Sequence, residues 1–122
     1  MVEDNPVNRR VAERMLQKLG CEVLLAEHGR LALDVLAGTS VDLVLMDCQM
    51  PVMDGYTATG AIRRREAAGT PRVPIVALTA NAMAGEQQRC QAAGMDDYLA
   101  KPVRLAELRA CVDKWLAASP AR

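Results

Sequence analysis

The chain has 122 residues, enough for one domain around a single hydrophobic core. About half is apolar (51%) and a quarter charged (25%), a balance that excludes an intrinsically disordered chain. Basic and acidic residues number 15 each, so charge gives no reason to expect nucleic acid or a membrane as a direct partner.

Aromatic residues are Tyr56, Tyr98 and Trp115, so Leu, Val, Ile, Ala and Met must build the core. No apolar run approaches the ~20 residues that span a bilayer. The N-terminus lacks a signal-peptide pattern, and a cytoplasmic setting is expected, including as the cytoplasmic part of a membrane-bound protein. Cys21, Cys48, Cys90 and Cys111 are widely spaced, with no CxxC and one histidine. That is poor material for zinc, and the thiols are expected to be reduced and mostly buried.

In chain order, the first helix has Asn5 as N-cap and Pro6 at its first position. Val7, Val11, Met15 and Leu19 recur every four residues as an apolar stripe, and Gly20 ends the helix. Arg10, Arg14 and Lys18 form a basic row beside it, readable as a solvated face or as a docking face. Glu22–Ala26 is a weak strand candidate. His28, before Gly29, reads as a surface turn residue and not as a phosphorelay histidine.

A helix is expected over Arg30–Ala37, a buried strand over Val41–Met46, and a second helix-strand pair over Gly55–Ala68 and Val73–Leu78. Ala84–Ala93 then reads as a helix, Tyr98–Ala100 as a strand and Arg104–Leu116 as the last helix. There Leu105, Leu108, Val112 and Trp115 form an inward stripe. Strands alternating with helices imply right-handed βαβ units and a doubly wound α/β sandwich. Residues 1–117 form the expected domain, with 118–122 as a tail.

Polar residues interrupt the apolar runs at corresponding places: Glu3 and Asp4 after Met-Val, Asp47 after VDLVLM, Thr79 after VPIVAL, Lys101 after YLA. Parallel strands end along one edge, where open α/β sheets place their ligand sites. Three carboxylates gathered there repel one another, and a hard divalent cation resolves this. Lys101 adds a positive charge and Thr79 a hydroxyl, completing a receptor for a transferring phosphoryl group. Asp47 is the natural nucleophile, because carboxylates form acyl phosphates. Each residue also has an ordinary explanation: Asp4 beside a cap, Asp47 opening a loop, Thr79 capping a helix, Lys101 solvated. Their joint placement at strand ends is what favours the site.

The motifs VEDNPVNR at Val2–Arg9, LVLMDCQMPVMDG at Leu43–Gly55, PIVALTA at Pro74–Ala80 and AGMDDYLAKPV at Ala93–Val103 carry a family resemblance. The chain resembles the receiver domains of two-component response regulators over almost its whole length. Among these it is most similar in wording to receivers of hybrid sensor histidine kinases. The resemblance implies a flavodoxin-like fold, five parallel strands in the order 2-1-3-4-5 with five helices. It implies phosphorylation of Asp47, direct Mg²⁺ binding by Asp4, Asp47 and the backbone carbonyl of Gln49, and a largely water-mediated role for Glu3. Mn²⁺ could substitute.

The resemblance also gives Thr79 and Lys101 the phosphoryl oxygens, makes Thr79 and Tyr98 the switch pair, and has Gln49 and Asn81 tune autodephosphorylation. It implies a cis Lys101–Pro102 bond. It implies a histidine kinase or histidine phosphotransfer domain as partner, with no direct role for nucleic acid or membrane. The chain would catalyse only its own phosphorylation and dephosphorylation.

Family members carry more apolar residues before the acidic pair than Met1 and Val2. The first strand is therefore expected to be a stub or to be completed from upstream. A receiver-like interaction module without phosphate turnover is the alternative. An aspartate-nucleophile phosphatase would want a carboxylate where Gln49 stands. A flavin protein would want a phosphate loop and no acids at the strand ends.

Overall fold

The computed structural model describes residues 1–39, 41–48, 54–69, 72–79, 84–101 and 103–117. Five helices, α1 (Pro6–Lys18), α2 (Gly29–Gly38), α3 (Gly55–Ala67), α4 (Ala84–Ala93) and α5 (Leu105–Ala117), alternate with β1 (Val44–Asp47), β2 (Ile75–Thr79) and β3 (Asp97–Ala100). The strands are parallel in the order β1-β2-β3.

The sheet continues beyond β1 through single bridges. Val2 is bridged in parallel to both Met46 and Ala26. Val2 N–H donates to Leu45 O (2.8 Å) and Asp47 N–H to Val2 O (3.0 Å). On the other side Glu3 N–H donates to Ala26 O (3.1 Å) and Ala26 N–H to Met1 O (3.0 Å). Three residues thus pair on both sides as a central strand would, and the five segments run in the order 2-1-3-4-5. The expected strand Glu22–Ala26 is reduced to the bridge at Ala26.

Strand residues alternate between two cores. Val44, Met46, Ile75 and Ala77 face the core with Ala32, Ala58, Ile62 and Cys90, under α2, α3 and α4. Leu45, Val76 and Leu78 face the core with Leu16, Leu108, Cys111 and Val112, under α1 and α5. The sheet is therefore wound on both faces. The four cysteines are thiols rather than disulfides, and Cys48, Cys90 and Cys111 are buried.

Two helix faces depart from the sequence reading. Val7 is 69% and Val11 47% exposed, while Leu16 is buried. The second half of the α1 stripe, Met15 and Leu19, packs against the core as read, while its first half faces solvent. Arg9 turns inward there and donates from Nη1 to Glu3 O (2.9 Å). In α5, Leu108 and Val112 are buried as expected, but Leu105 is exposed; Cys111 takes a buried place instead. The N-caps follow local chemistry. Asn5 Oδ1 accepts from Val7 and Asn8 N–H, and Asp54 Oδ1 from Thr57 N–H. His28 is more than a turn residue, since its Nδ1 caps α2 by accepting from Leu31 N–H (3.3 Å). No helix among the described residues is long and apolar enough to cross a membrane.

The amino edge of the sheet is held by a half-buried charged network. Arg63 of α3 donates to Gly94 O, Val73 O, Glu66 and Asp96. Glu66 accepts from Val73 N–H and Asp96 from Ile75 N–H, so both carboxylates also fix the entry to β2. Removing the arginine leaves Glu66 without a cation and Asp96 with only the exposed Arg72. Arg63→Met is expected to lower stability by about 3–5 kcal/mol, the usual cost of breaking such a pair. Urea denaturation of the two proteins measures it.

Candidate metal centre at the carboxyl edge of the sheet

Register brings the site together. Asp47 pairs with Leu78, and Thr79 with Ala100. Asp47 and Thr79 are the last residues of β1 and β2, one step inside the strands rather than just after them. The ladder carries them there: Asp47 N–H bonds to Val2 O, Cys48 N–H to Leu78 O and Lys101 N–H to Thr79 O. Glu3 follows bridged Val2, and Lys101 follows β3. Four residues scattered along the sequence thus end on one edge.

Glu3, Asp47 and Thr79 are all less than 5% exposed. Lys101 Nζ lies 2.9 Å from Asp47 Oδ2 and 3.2 Å from Glu3 Oε2. Asp4 sits outside at the solvent side, and one oxygen each of Glu3, Asp4 and Asp47 lies within 4.8 Å of the others. Glu3 Oε1 accepts from Asn5 N–H (3.2 Å). Its Oε2 is buried without a hydrogen bond, because Lys101, though within ion-pair distance, lies off the bonding direction. A buried anionic oxygen with an open lone pair, among three carboxylates and one lysine, suits a hard oxygen-preferring dication. The residues present fit Mg²⁺.

The charges shift one another. Burial, then the Asp47 charge, push the Glu3 carboxyl above its ordinary value, and Lys101 and the Asn5 amide only partly pull it back. Burial alone would lower the Lys101 pKa. The Asp47 hydrogen bond and charge, then Glu3, outweigh it and hold the ammonium above the ordinary lysine value.

Tyr98 is half-buried and packs into the α2–α3–α4 core, opposite Ala77 and two strand positions before the Thr79–Ala100 pair at this edge. Gln49, Asn81 and the Lys101–Pro102 bond lie outside the described residues. Two contributors carried no role in the sequence reading. Arg9 holds the backbone of Glu3, and nothing in its spacing marks it apart from α1's other cations. Gly55 packs on Asp47, and its only signal was the Asp-Gly pair closing the Asp47 motif.

A doubly wound α/β sheet with acids, a hydroxyl and a lysine on its carboxyl edge defines a class of phosphoryl-handling and metal-binding switch proteins. Comparison with known proteins narrows the class. The family profile described as response regulator receiver domain matches residues 1–113. The chain belongs to this family.

The sensor histidine kinase GacS of Pseudomonas protegens is 47% identical over 116 residues, 93% of this chain but 12% of the kinase. The chain thus spans a small part of such relatives. The receiver domain of sensor histidine kinase PA1611 from Pseudomonas aeruginosa, solved with magnesium coordinated in its active-site cleft, is 49% identical. It superposes with a TM-score of 0.86, covering 96% of this chain and 94% of that one. The receiver of Saccharomyces cerevisiae Ssk1, solved with the phosphotransfer protein Ypd1, is 31% identical with a TM-score of 0.90, over 95% and 86% of the chains.

The raised Glu3 pKa has a consequence without metal. The folded state holds this proton where the unfolded state has lost it, so stability is greatest below the ordinary carboxylate value. It falls as pH rises through the folded value. Glu3→Gln is expected to flatten this decline. Denaturation midpoints of both proteins in chelator, from weakly acidic to neutral pH, check it.

Proposed function

We propose that this receiver domain accepts a phosphoryl group on Asp47 from a phosphohistidine donor, with Mg²⁺ bound, and signals by changing shape. The observation that carries the reading is Asp47 itself: a buried strand-end carboxylate, 2.9 Å from the Lys101 ammonium and inside the three-acid cluster. Asp4, Asp47 and the Gln49 carbonyl would hold the metal, with Glu3 acting through water. Bound there, Mg²⁺ supplies charge neutralisation for the acids and the incoming oxygens.

An Asp47 oxygen forms the new bond to phosphorus as the bond to the donor imidazole nitrogen breaks. The product is an acyl phosphate and a free histidine. Lys101 pairs with a phosphoryl oxygen and the Thr79 hydroxyl donates to another. Water later displaces phosphate and restores the carboxylate, with Gln49 and Asn81 setting the pace.

Acetyl phosphate and Mg²⁺ are expected to add one phosphoryl group to the wild type and none to Asp47→Asn, read by intact mass. Mg²⁺ titration is expected to weaken more with Asp4→Asn than with Glu3→Gln. An Asp47→Asn protein labelled like the wild type overturns the assignment.

Phosphorylation replaces one carboxylate charge by a dianionic group and adds oxygens beyond it. Thr79 then swings toward the new oxygens, and the space behind it lets Tyr98 move deeper into the core. A differential interaction of a few kcal/mol suffices for such a shift. Thr79→Ala is expected to keep labelling yet lose the response at Tyr98, measured by NMR shift mapping with beryllofluoride as phosphoryl mimic. Perturbations that stay around Asp47 in the wild type count against the switch.

The partner reading draws on α1. Exposed Val7 and Val11 lie beside exposed Arg10, Arg14 and Lys18, an apolar strip flanked by cations that suits an acidic, partly apolar helix surface. A histidine phosphotransfer domain or kinase is the proposed partner. Arg14→Glu is expected to slow phosphotransfer from a protein donor and leave acetyl phosphate labelling unchanged. Equal slowing of both would assign the loss to the fold.

A further inference from the structure

Gly55 N–H donates to Cys48 O at 3.2 Å, so the first turn of α3 lies against the end of β1. A Cβ on Gly55 would stand 2.3 Å from Asp47 O, 3.0 Å from Cys48 Cα and 3.1 Å from Asp47 C, all backbone atoms. Gly55 has ordinary helical geometry within α3, so no left-handed conformation calls for glycine there. Space alone does. Other helical glycines behave differently. A Cβ on Gly60 of the same helix would be 3.6 Å from the Arg64 side chain, and one on Gly85 would meet nothing within 4 Å.

We propose that Gly55 is a positioning residue for Asp47: its missing side chain lets the first turn of α3 lie on the Asp47 carbonyl, and this contact sets where the Asp47 carboxylate stands relative to Glu3 and Lys101. The inference rests on Asp47 as phosphoacceptor.

A methyl group at this position has nowhere to go. Relaxing 2.3 Å to an ordinary contact of 3.4 Å needs about 1 Å of backbone movement, the difference of the two distances. The helix yields little. Ala58, Thr59 and Ile62 of α3 are buried against the sheet, and Arg63 ties the helix to the amino edge. The rest of β1 is held by Val2 on one side and β2 on the other. The displacement therefore falls on the Asp47–Cys48 peptide, and the carboxylate moves with it. Misplacing a reacting group by 1 Å costs about a hundredfold in rate. Gly55 opens α3, and helix propensity does not favour glycine over alanine there. A loss in Gly55→Ala is thus steric.

The test uses four proteins: wild type, Gly55→Ala, a Gly60→Ala/Gly85→Ala background stabilised at two roomy helical glycines, and Gly55→Ala in that background. Each is scored for labelling rate at saturating acetyl phosphate and Mg²⁺, for Mg²⁺ affinity by calorimetry, and for Tm. Labelling is expected to fall about a hundredfold in both Gly55→Ala proteins well below their Tm, with Mg²⁺ bound several-fold more weakly. The background alone should match wild type.

Labelling and Mg²⁺ affinity at the background's values in the stabilised Gly55→Ala protein overturn the inference. So does failure of that protein to fold, because the contact then serves the fold and not the site. A wild type that takes no phosphoryl group defeats the functional reading instead, and the Mg²⁺ arm then decides the role of Gly55.

Discussion

Glu3 and Asp47 carry their carboxylates almost out of reach of water, and Lys101 stands beside both. Removing ionised acids from water is expensive unless each is paired and hydrogen-bonded. One ammonium cannot do this for two buried acids with a third, Asp4, at the rim. The imbalance shows in the molecule: the Glu3 carboxyl is held above its ordinary value, and its Oε2 lacks a hydrogen bond. Such an edge is unfinished by construction. It is completed by positive charge, which a dication brings, and reorganised when a phosphoryl group adds negative charge.

The backbone keeps this arrangement in place with little material. The central position of the sheet is occupied by three residues, yet Val2 is bonded to β1 and its neighbours to Ala26, so Glu3 emerges from a fixed point. Arg9 holds the Glu3 carbonyl from α1, and Gly55 rests on the Asp47 carbonyl from α3. The two buried acids are thus gripped by their own backbones from opposite faces of the sheet. A site that gathers like charges needs such support, because the side chains would otherwise move apart.

Much of this was legible in the sequence. Continuous apolar runs such as VDLVLM announced strands buried on both faces, though β1 takes only Val44–Asp47 and leaves Val41–Leu43 outside it. Polar interruptions at the run ends announced Glu3, Asp47, Thr79 and Lys101. The helix periods and the Asn5 and Pro6 start signal fell within a residue of the structure. Met15 and Leu19 of the α1 stripe pack as read, but the exposure of Val7 and Val11 was not legible, since their spacing is as regular as any core stripe. Leu105 failed similarly, being replaced inward by Cys111. Gly55 was unreadable because a glycine required for space looks like a glycine required for a turn. The cap by His28 was equally hidden, since an imidazole nitrogen accepts only in one protonation and tautomer state.

The two edges of the sheet differ in a way that directs the response. At the amino edge Arg63, Glu66 and Asp96 satisfy one another and the backbone of Val73, Ile75 and Gly94. Asp96 directly precedes β3, so that strand is anchored at its start. Trp115 Nε1 donates to Asp97 Oδ2 (3.0 Å), extending the anchor to α5. At the carboxyl edge the same strand runs into Lys101, which pairs with Asp47 and Glu3 and is the proposed phosphoryl partner. A strand fixed at one end and loaded at the other carries displacement along its length, through Ala100 and Leu99 toward Tyr98. Close-packed cores shift between discrete arrangements rather than deform smoothly. Tyr98 is only half-buried, so it has somewhere further in to go. On α3, Arg89 of α4 lies 4.2 Å from the Tyr56 ring centroid, and that ring packs into the same core as Tyr98. Movement of Tyr98 therefore bears on the core that seats α4, and the amino-edge network keeps the rest of the sheet from following.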